Sequence, residues 1–463
     1  MSLFSETVRL DPEVLQAYDM AGPRYTSYPT APQFNEAFSE QTLLQAIDQS
    51  NQTGRNLSLY FHIPFCESLC YYCGCNKIVT PHKSRARPYL ERMIQEAALY
   101  AQLIHPDRKV TQIHWGGGTP TFLSHKDMAF LMESTRRLFN VADPSECEIG
   151  IEIHPGQVDL KTLHYLRGLG FNRISMGIQD FDPQVQKAVN RFNTFDEVKA
   201  LVDGVRKQDY QSLSMDLIYG LPLQTIETFH ATLAQVIKLS PDRLSIFNYA
   251  HMPHLFKSQR LINEQDLPTA ASKIAMLSLA IDELQAAGYR YIGMDHFAKP
   301  SDSLSKAQDA GLMQRNFQGY STHADTDLFA FGVSSISQIN STFVQNAKDL
   351  NRYQQLLDLG QLPVIKGIRR NQEDELRAFV INQLICHFSV DFTELENQFG
   401  INAAEHFKYE LAELMPMKLD GLINLNHKGI HVHNAGRLLI RRICMVFDEY
   451  LRNNKTIRYS KIV

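Results

Sequence analysis

Between Leu57 and Tyr249, short β-rich runs alternate with a loop containing Gly or Pro and a longer stretch whose apolar residues fall at helical spacing. Two strands that run parallel need a crossover between them, and a helix is its usual form. The pattern predicts strands at Leu57–His62, Val110–Trp115, Glu148–Ile153, Arg173–Ile178, Ser214–Tyr219 and Arg243–Tyr249. Leu90, Met93, Ile94 and Ala97 mark a helix in the first interval, and Ser124 stands as N-cap ahead of Met128, Leu131 and Met132 in the second. Such units close into an open doubly wound sheet or a barrel. Right-handed crossovers put the loops after each strand at one end in both cases, so chemistry is expected at the strands' C-terminal ends.

On either side the pattern changes. Gly22–Pro32 reads GPRYTSYPTAP, too rich in proline for a regular helix, and predicts an extended arm. Beyond Leu362-Pro363 the chain predicts a helix at Asp374–Phe388, a small hairpin within Gly421–Val432 and a basic helix at Gly436–Tyr450. Ser272–Ala287 is a further helix, while Gly293–Gly332 is loop-rich and without clear periodicity. The domains expected are therefore 1–55, an arm and helix; 56–362, the βα domain with an extension; and 363–463, a mostly helical domain.

Composition bounds the function. The 463 residues are 44% hydrophobic and 21% charged, which excludes a disordered, collagen-like or coiled-coil chain. With 46 Lys plus Arg against 50 Asp plus Glu, the net charge of −4 supplies no global attraction to nucleic acid or anionic membrane. The first thirty residues have no basic start followed by an apolar run, and no uncharged stretch is long enough to span a bilayer, so a cytoplasmic protein is expected. Four of the seven cysteines, Cys66, Cys70, Cys73 and Cys75, crowd the loop after the first predicted strand, while Cys147, Cys386 and Cys444 read as core residues.

Cys66, Cys70 and Cys73 follow the spacing C-x3-C-x2-C. Three thiolates on an iron-sulfur cubane leave one iron open to a substrate or cofactor, whereas four close it. Addition of Cys75 would instead permit a four-cysteine zinc site, although structural zinc usually draws on two well-separated Cys pairs. The second strand runs into Gly116-Gly117-Gly118-Thr119-Pro120, where bare backbone lets a ligand reach N–H groups. Polar residues recur at the ends of the next three strands; Glu152, Gln179 and Asp216 each fit a solvated loop or helix cap as well as a ligand contact, together they read as a site, and His154 is assigned no role.

C-x3-C-x2-C after the first strand with GGGTP after the second resembles the radical S-adenosylmethionine (SAM) superfamily. The resemblance implies a partial (β/α)6 barrel, a [4Fe-4S] cluster on Cys66, Cys70 and Cys73, and SAM on the open iron. Gly22–Thr30, Cys73-Gly74-Cys75-Asn76, Gly177–Phe181, Asp216–Pro222 and Phe247–His251 are in turn similar to the oxygen-independent coproporphyrinogen III oxidases, nearly end to end. That family oxidatively decarboxylates two propionates of coproporphyrinogen III to vinyls, giving protoporphyrinogen IX in haem biosynthesis.

By that likeness Tyr60, Gly117, Glu152 and Ile336 contact the SAM on the cluster. Gly118, Thr119, Gln179, Arg191, Asp216 and Ala250 contact a second SAM, and Tyr72 stands where the family often has Phe. Tyr60, Cys75 and Arg24 are the candidate catalytic residues, Cys75 belonging to the family signature without being a cluster ligand there. Arg24 is the first choice for pairing a substrate carboxylate, ahead of Arg315, Arg369 and Arg370; Arg437, Arg441 and Arg442 read as the solvated face of the last helix. A flavodoxin or ferredoxin is the expected reductant, and a monomer the expected state. The alternatives are a haem-binding chaperone of the same fold and a zinc-stabilised module. The chaperone-type relatives carry a His-Asn-x-x-Tyr-Trp motif that is absent here, Trp115 being the single tryptophan.

Overall fold

Leu57, Leu59, Phe61 and Ile63 alternate along the first strand with Ser58, Tyr60 and His62, and nearly every one of them is buried. A strand covered on both faces belongs in the middle of a parallel sheet. The computed structural model, which describes residues 7–9, 11–18 and 20–453, places it there. Residues 1–33, 269–324 and 370–463 form one compact unit and residues 34–268 and 325–369 another.

The second unit holds the βα alternation. Its parallel strands are β1 (Asn56–Ile63), β2 (Lys109–Gly117), β3 (Glu148–Ile153), β4 (Arg173–Gln179), β5 (Ser212–Tyr219) and β6 (Arg243–Asn248), each hydrogen-bonded to the next. All six coincide with the predicted runs to within about two residues at each end. On the far side of β1 lies β7 (Thr326–Phe331), also parallel, and the antiparallel strands β8 (Ile336–Ile339), β9 (Thr342–Asn346) and β10 (Val364–Arg369) extend the sheet. Within this unit the order is β6-β5-β4-β3-β2-β1-β7-β8-β9-β10, an open α/β sheet.

Helices cross between the strands. Ser124 caps His125–Leu138 by accepting from the Asp127 N–H, and Thr194 with Glu197 forms a capping box on Phe195–Lys207. The core between sheet and helices is aromatic, with Trp115 meeting Phe171 edge-on at 4.8 Å and Phe61 packing on Phe331 at 5.1 Å. Two buried polar knots sit in it. Arg108 Nη2 donates to Asp327 Oδ2 at 2.6 Å, and Ser50 Oγ bonds the same carboxylate. Glu96 accepts from the Tyr353 hydroxyl (2.6 Å), the Asn346 amide (2.6 Å) and the Gly332 N–H (2.9 Å).

The first unit carries the helices Ala270–Ala286 and Gln372–His387, the hairpin Arg290–Gly293 with His296–Ala298, and a small sheet of Ser389–Asp391, Gly429–Val432 and Ile423–Asn426. The arm has no α-helix from Met20 to Gln33 and is pinned by the Tyr25 hydroxyl on Asp448 at 2.9 Å. Gly293–Gly332, unassigned from the sequence, contains the short strands Gln314–Asn316 and Gly319–Ser321 and reaches β7.

The basic helix expected at Gly436–Tyr450 is not continuous. A 3-10 turn, Asn434–Leu439, precedes the short helices Ile440–Val446 and Glu449–Asn453. A β-carbon at Gly436 would collide with the Leu422 carbonyl, so this turn is pressed onto the small sheet. Arg437 is 3% exposed and Arg441, bonded to the Pro23 and Gly22 carbonyls, 4%, not a solvated face. Cys147, Cys386 and Cys444 are buried as expected. Among the described residues, no helix is long and apolar enough to cross a membrane.

Candidate active site

The cysteine loop is held at both ends and in the middle. Ile78 and Thr80 donate backbone N–H groups to the Pro64 and Cys66 carbonyls (2.7 and 2.9 Å), closing the loop's base beside β1. The Tyr71 N–H bonds the Val189 carbonyl at 3.0 Å and Asn190 Nδ2 bonds that of Leu69 at 2.8 Å. Ser258 Oγ and Lys77 Nζ each donate to the Cys73 carbonyl at 2.9 Å, while Gln259 Nε2 ties the carbonyls of Tyr72 (3.0 Å) and Ala250 (3.3 Å). Cys66 and Cys70 are buried, Cys73 is half-buried and Cys75 is exposed.

Their environments differ. Burial pushes the Cys66 thiol up to about 11, against a weak hydrogen bond from Thr119 Oγ1 at 3.6 Å. A hydrogen bond from Cys75 and the Lys77 charge bring Cys73 down to about 6 in spite of burial. Arg191 Nη1 stands 3.7 Å from Cys70 Sγ and its Nη2 bonds the Gly177 carbonyl, so a guanidinium spans the cysteine loop and the end of β4. Thiolates beside fixed positive charge are good iron ligands.

The three glycines are each required, for different reasons. A β-carbon at Gly116 would stand 2.8 Å from Glu152 Oε1, and one at Gly117 2.7 Å from the His62 ring. Gly117 also has φ +116, a conformation other residues rarely adopt. A β-carbon at Gly118 would meet the Pro64 backbone at 2.7 Å, where the Gly118 N–H bonds the Ile63 carbonyl at 2.8 Å. The run is a strip of bare backbone between the cysteine loop and a carboxylate.

Glu152, on β3, receives the Gly117 N–H on Oε2 at 3.1 Å and faces His114 Nε2 from Oε1 at 3.3 Å. Burial favours its protonated form, but His114 and the Gly117 N–H outweigh it and hold the carboxyl below its ordinary value. Tyr60 lies opposite His114 in register, stacks on its ring at 6.0 Å and meets His62 Nδ1 with its hydroxyl at 3.2 Å. His62 Nε2 continues to the Asn76 carbonyl at 3.0 Å, joining β1 to the cysteine loop. Two strands further, Asp216 accepts from Ser175 Oγ at 3.3 Å and is raised to about 6 by burial and the Glu152 charge. Gln179 ends β4 with φ 71, and its amide and Arg191 fill the space a Gly177 side chain would need.

The predicted site residues therefore come together in contacts: Gly117 with Glu152, Thr119 with Cys66, Arg191 with Cys70, and Tyr72 with Ala250 through Gln259. Ile336 opens β8 and pairs with Gln345. Arg24 belongs to the other unit, where its Nη1 lies 2.5 Å from Asp295 Oδ2. His154, given no role from the sequence, accepts the Gly156 N–H at 3.1 Å and caps the following turn. His62, His114 and Gln259 were missed. Period-two spacing puts His62 on the face of Tyr60, and strand pairing brings in His114, so the first two had a signal; Gln259 had none.

Three thiols in one loop suit a [4Fe-4S] cluster, and bare glycine backbone beside a lowered carboxyl suits a zwitterionic amino acid group such as that of SAM. Residues 60–236 match the radical SAM superfamily and residues 371–439 the HemN C-terminal domain. Fold and site together define a radical SAM enzyme, an oxidoreductase whose cofactors are a [4Fe-4S] cluster and SAM. The oxygen-independent coproporphyrinogen III oxidase of Pseudomonas aeruginosa is 48% identical over 99% of this chain and 100% of its own length. That of Escherichia coli (strain K12) is 46% identical over 98% of each. The solved structure described as coproporphyrinogen III oxidase (HemN) from Escherichia coli, a radical SAM enzyme, superposes with a TM-score of 0.91 at 45% identity, covering 96% of this chain and 100% of that one. The chain belongs to the oxygen-independent coproporphyrinogen III oxidase family.

Proposed function

We propose that this enzyme converts coproporphyrinogen III to protoporphyrinogen IX without oxygen, turning two propionate side chains into vinyl groups in haem biosynthesis. The observation that carries it is the Cys66–Cys70–Cys73 loop seated against the Gly116–Gly118 backbone, with Glu152 held between Gly117 and His114. Full-length kinship to enzymes of that name supports the substrate.

When bound, cluster and SAM supply a 5'-deoxyadenosyl radical able to take a hydrogen atom from a propionate β-carbon; loss of carbon dioxide and one electron to an external acceptor completes each vinyl. Cys66, Cys70 and Cys73 would hold the irons and leave one open. Glu152, kept ionised by His114 and Gly117, would take the ammonium of SAM, and Tyr60 would stand beside it. Gly118, Thr119, Gln179, Arg191, Asp216 and Ala250 would hold a second SAM, with Asp216 offering acceptors to ribose hydroxyls. Tyr72 adds an aromatic wall, packed on the buried cluster that includes Val189, Ile218 and Tyr249. A flavodoxin or ferredoxin would reduce the cluster of a monomeric enzyme.

Anaerobic incubation of reconstituted protein with SAM, a reductant, an electron acceptor and coproporphyrinogen III tests the reading by mass spectrometry. Loss of two carboxyl groups with formation of 5'-deoxyadenosine is expected. Cleavage of SAM with intact porphyrinogen would overturn the substrate, and tight haem binding without either change would favour the chaperone.

A further inference from the structure

Within the first unit three arginines gather around one acid. Asp295 follows the strand Arg290–Gly293 and pairs with Arg24 Nη1 at 2.5 Å. Arg441 donates from Nε to the Pro23 carbonyl at 3.0 Å and from Nη2 to that of Gly22, holding the arm just before Arg24. Arg315, on the strand Gln314–Asn316, lies over the Tyr320 ring with its guanidinium 4.7 Å from the centroid. Burial acts to raise the Asp295 carboxyl, but the charges of Arg24, His296, Arg315 and Arg441 hold it down. Burial and the charges of Arg24 and Arg315 bring Arg441 down to about 10, Asp295 opposing them.

Asp295 pairs with Arg24 and Arg441 holds the arm's carbonyls, while Arg315 keeps open donors. Its Nε and Nη1 are buried and donate to no acceptor among the described residues. Buried donors without partners are costly, and a guanidinium presents them in the fork geometry that a carboxylate matches. We propose that Arg315, with Arg24 and Arg441, forms a carboxylate-binding subsite for a propionate of the substrate. The assignment rests on the tetracarboxylate substrate proposed above. The carboxylate of SAM is the poorer occupant, because its neighbouring ammonium would enter a site already rich in positive charge.

Titration of the full-length reconstituted protein with coproporphyrin III, the stable oxidised form of the macrocycle, by fluorescence quenching tests the subsite. Arg315→Gln should weaken binding about tenfold or more, with Arg315→Lys in between, while affinity for coproporphyrin tetramethyl ester and for SAM stays at the wild-type level. Asp295→Asn removes the competing acid and should tighten coproporphyrin binding, a gain that a folding defect cannot mimic. Equal coproporphyrin affinity in a folded Arg315→Gln protein, or a loss confined to SAM, would overturn the subsite alone. Wild-type protein that binds no coproporphyrin would overturn the substrate assignment and the subsite with it.

Discussion

The Gly117 N–H donates to Glu152 Oε2 at 3.1 Å, from the end of one strand to the end of its neighbour. One carboxylate oxygen is thereby fixed to backbone while the other faces His114 at 3.3 Å, so the acid is aimed by the sheet as well as by its own rotamer. The relationship exists only because Gly116 and Gly117 have no β-carbons to occupy the space of Glu152 and His62.

The three adjacent glycines should therefore fail differently when replaced by alanine. At Gly116 the clash is with the far end of Glu152, which can swing away: folding is retained and SAM affinity falls about tenfold by calorimetry, the value of one charge-assisted hydrogen bond. At Gly118 the clash is with the Pro64 backbone, and a loss of about 2 kcal/mol or more in stability is expected from chemical denaturation. Gly117 combines a left-handed φ with the His62 ring and should lose both stability and SAM affinity.

Cys66, Cys70 and Cys73 are enclosed in the loop, whereas Cys75 is exposed beyond it. Alanine at any of the first three should remove iron and acid-labile sulfide from anaerobically purified protein. Cys75→Ala should retain both and lose activity. A lost cluster in that last variant would indicate four protein ligands.

Glu96 is fully buried and its carboxyl is raised from 4.5 to about 7, burial outweighing its three hydrogen bonds. The folded protein keeps the proton to higher pH than the unfolded chain does. The stability this contributes is complete below about pH 4.5 and is lost as pH rises through about 7, a change of about 3 kcal/mol. Glu96→Gln should flatten that part of the pH dependence, measured as the difference between variant and wild type in urea at about pH 5 and pH 8.

Arg108 and Asp327 are each 2% exposed in their side chains. Arg108→Met leaves the Asp327 carboxylate with Ser50 and the Asn340 N–H alone, and should cost about 3–5 kcal/mol. The double variant Arg108→Met with Asp327→Leu should recover most of that loss, since it removes the orphaned charge; thermal unfolding of the three proteins reads the difference.

How far a feature could be read from sequence tracked how local its cause was. The parallel strands β1 to β6 were legible because a run such as Leu57–Ile63 declares its burial residue by residue. The cysteine loop and the glycine run were legible because their residues are adjacent in the chain. His114 became part of the site through strand register opposite Tyr60, and Gln259 through the Tyr72 carbonyl nearly two hundred residues earlier, a partner that leaves no local mark.

The last helix shows the limit most plainly. Basic residues at helical spacing from Gly436 to Tyr450 look like a solvated face, yet Arg441 is buried against the carbonyls of Gly22 and Pro23. What the sequence by itself determined is the βα alternation, the three-thiol loop and the bare strip of Gly116–Gly118, since each follows from neighbours in the chain. What only the tertiary structure decided is which polar groups meet: Glu152 with His114, Arg191 with Cys70, Arg24 with Asp295. Such pairing depends on distance in space, and composition and periodicity do not encode that distance.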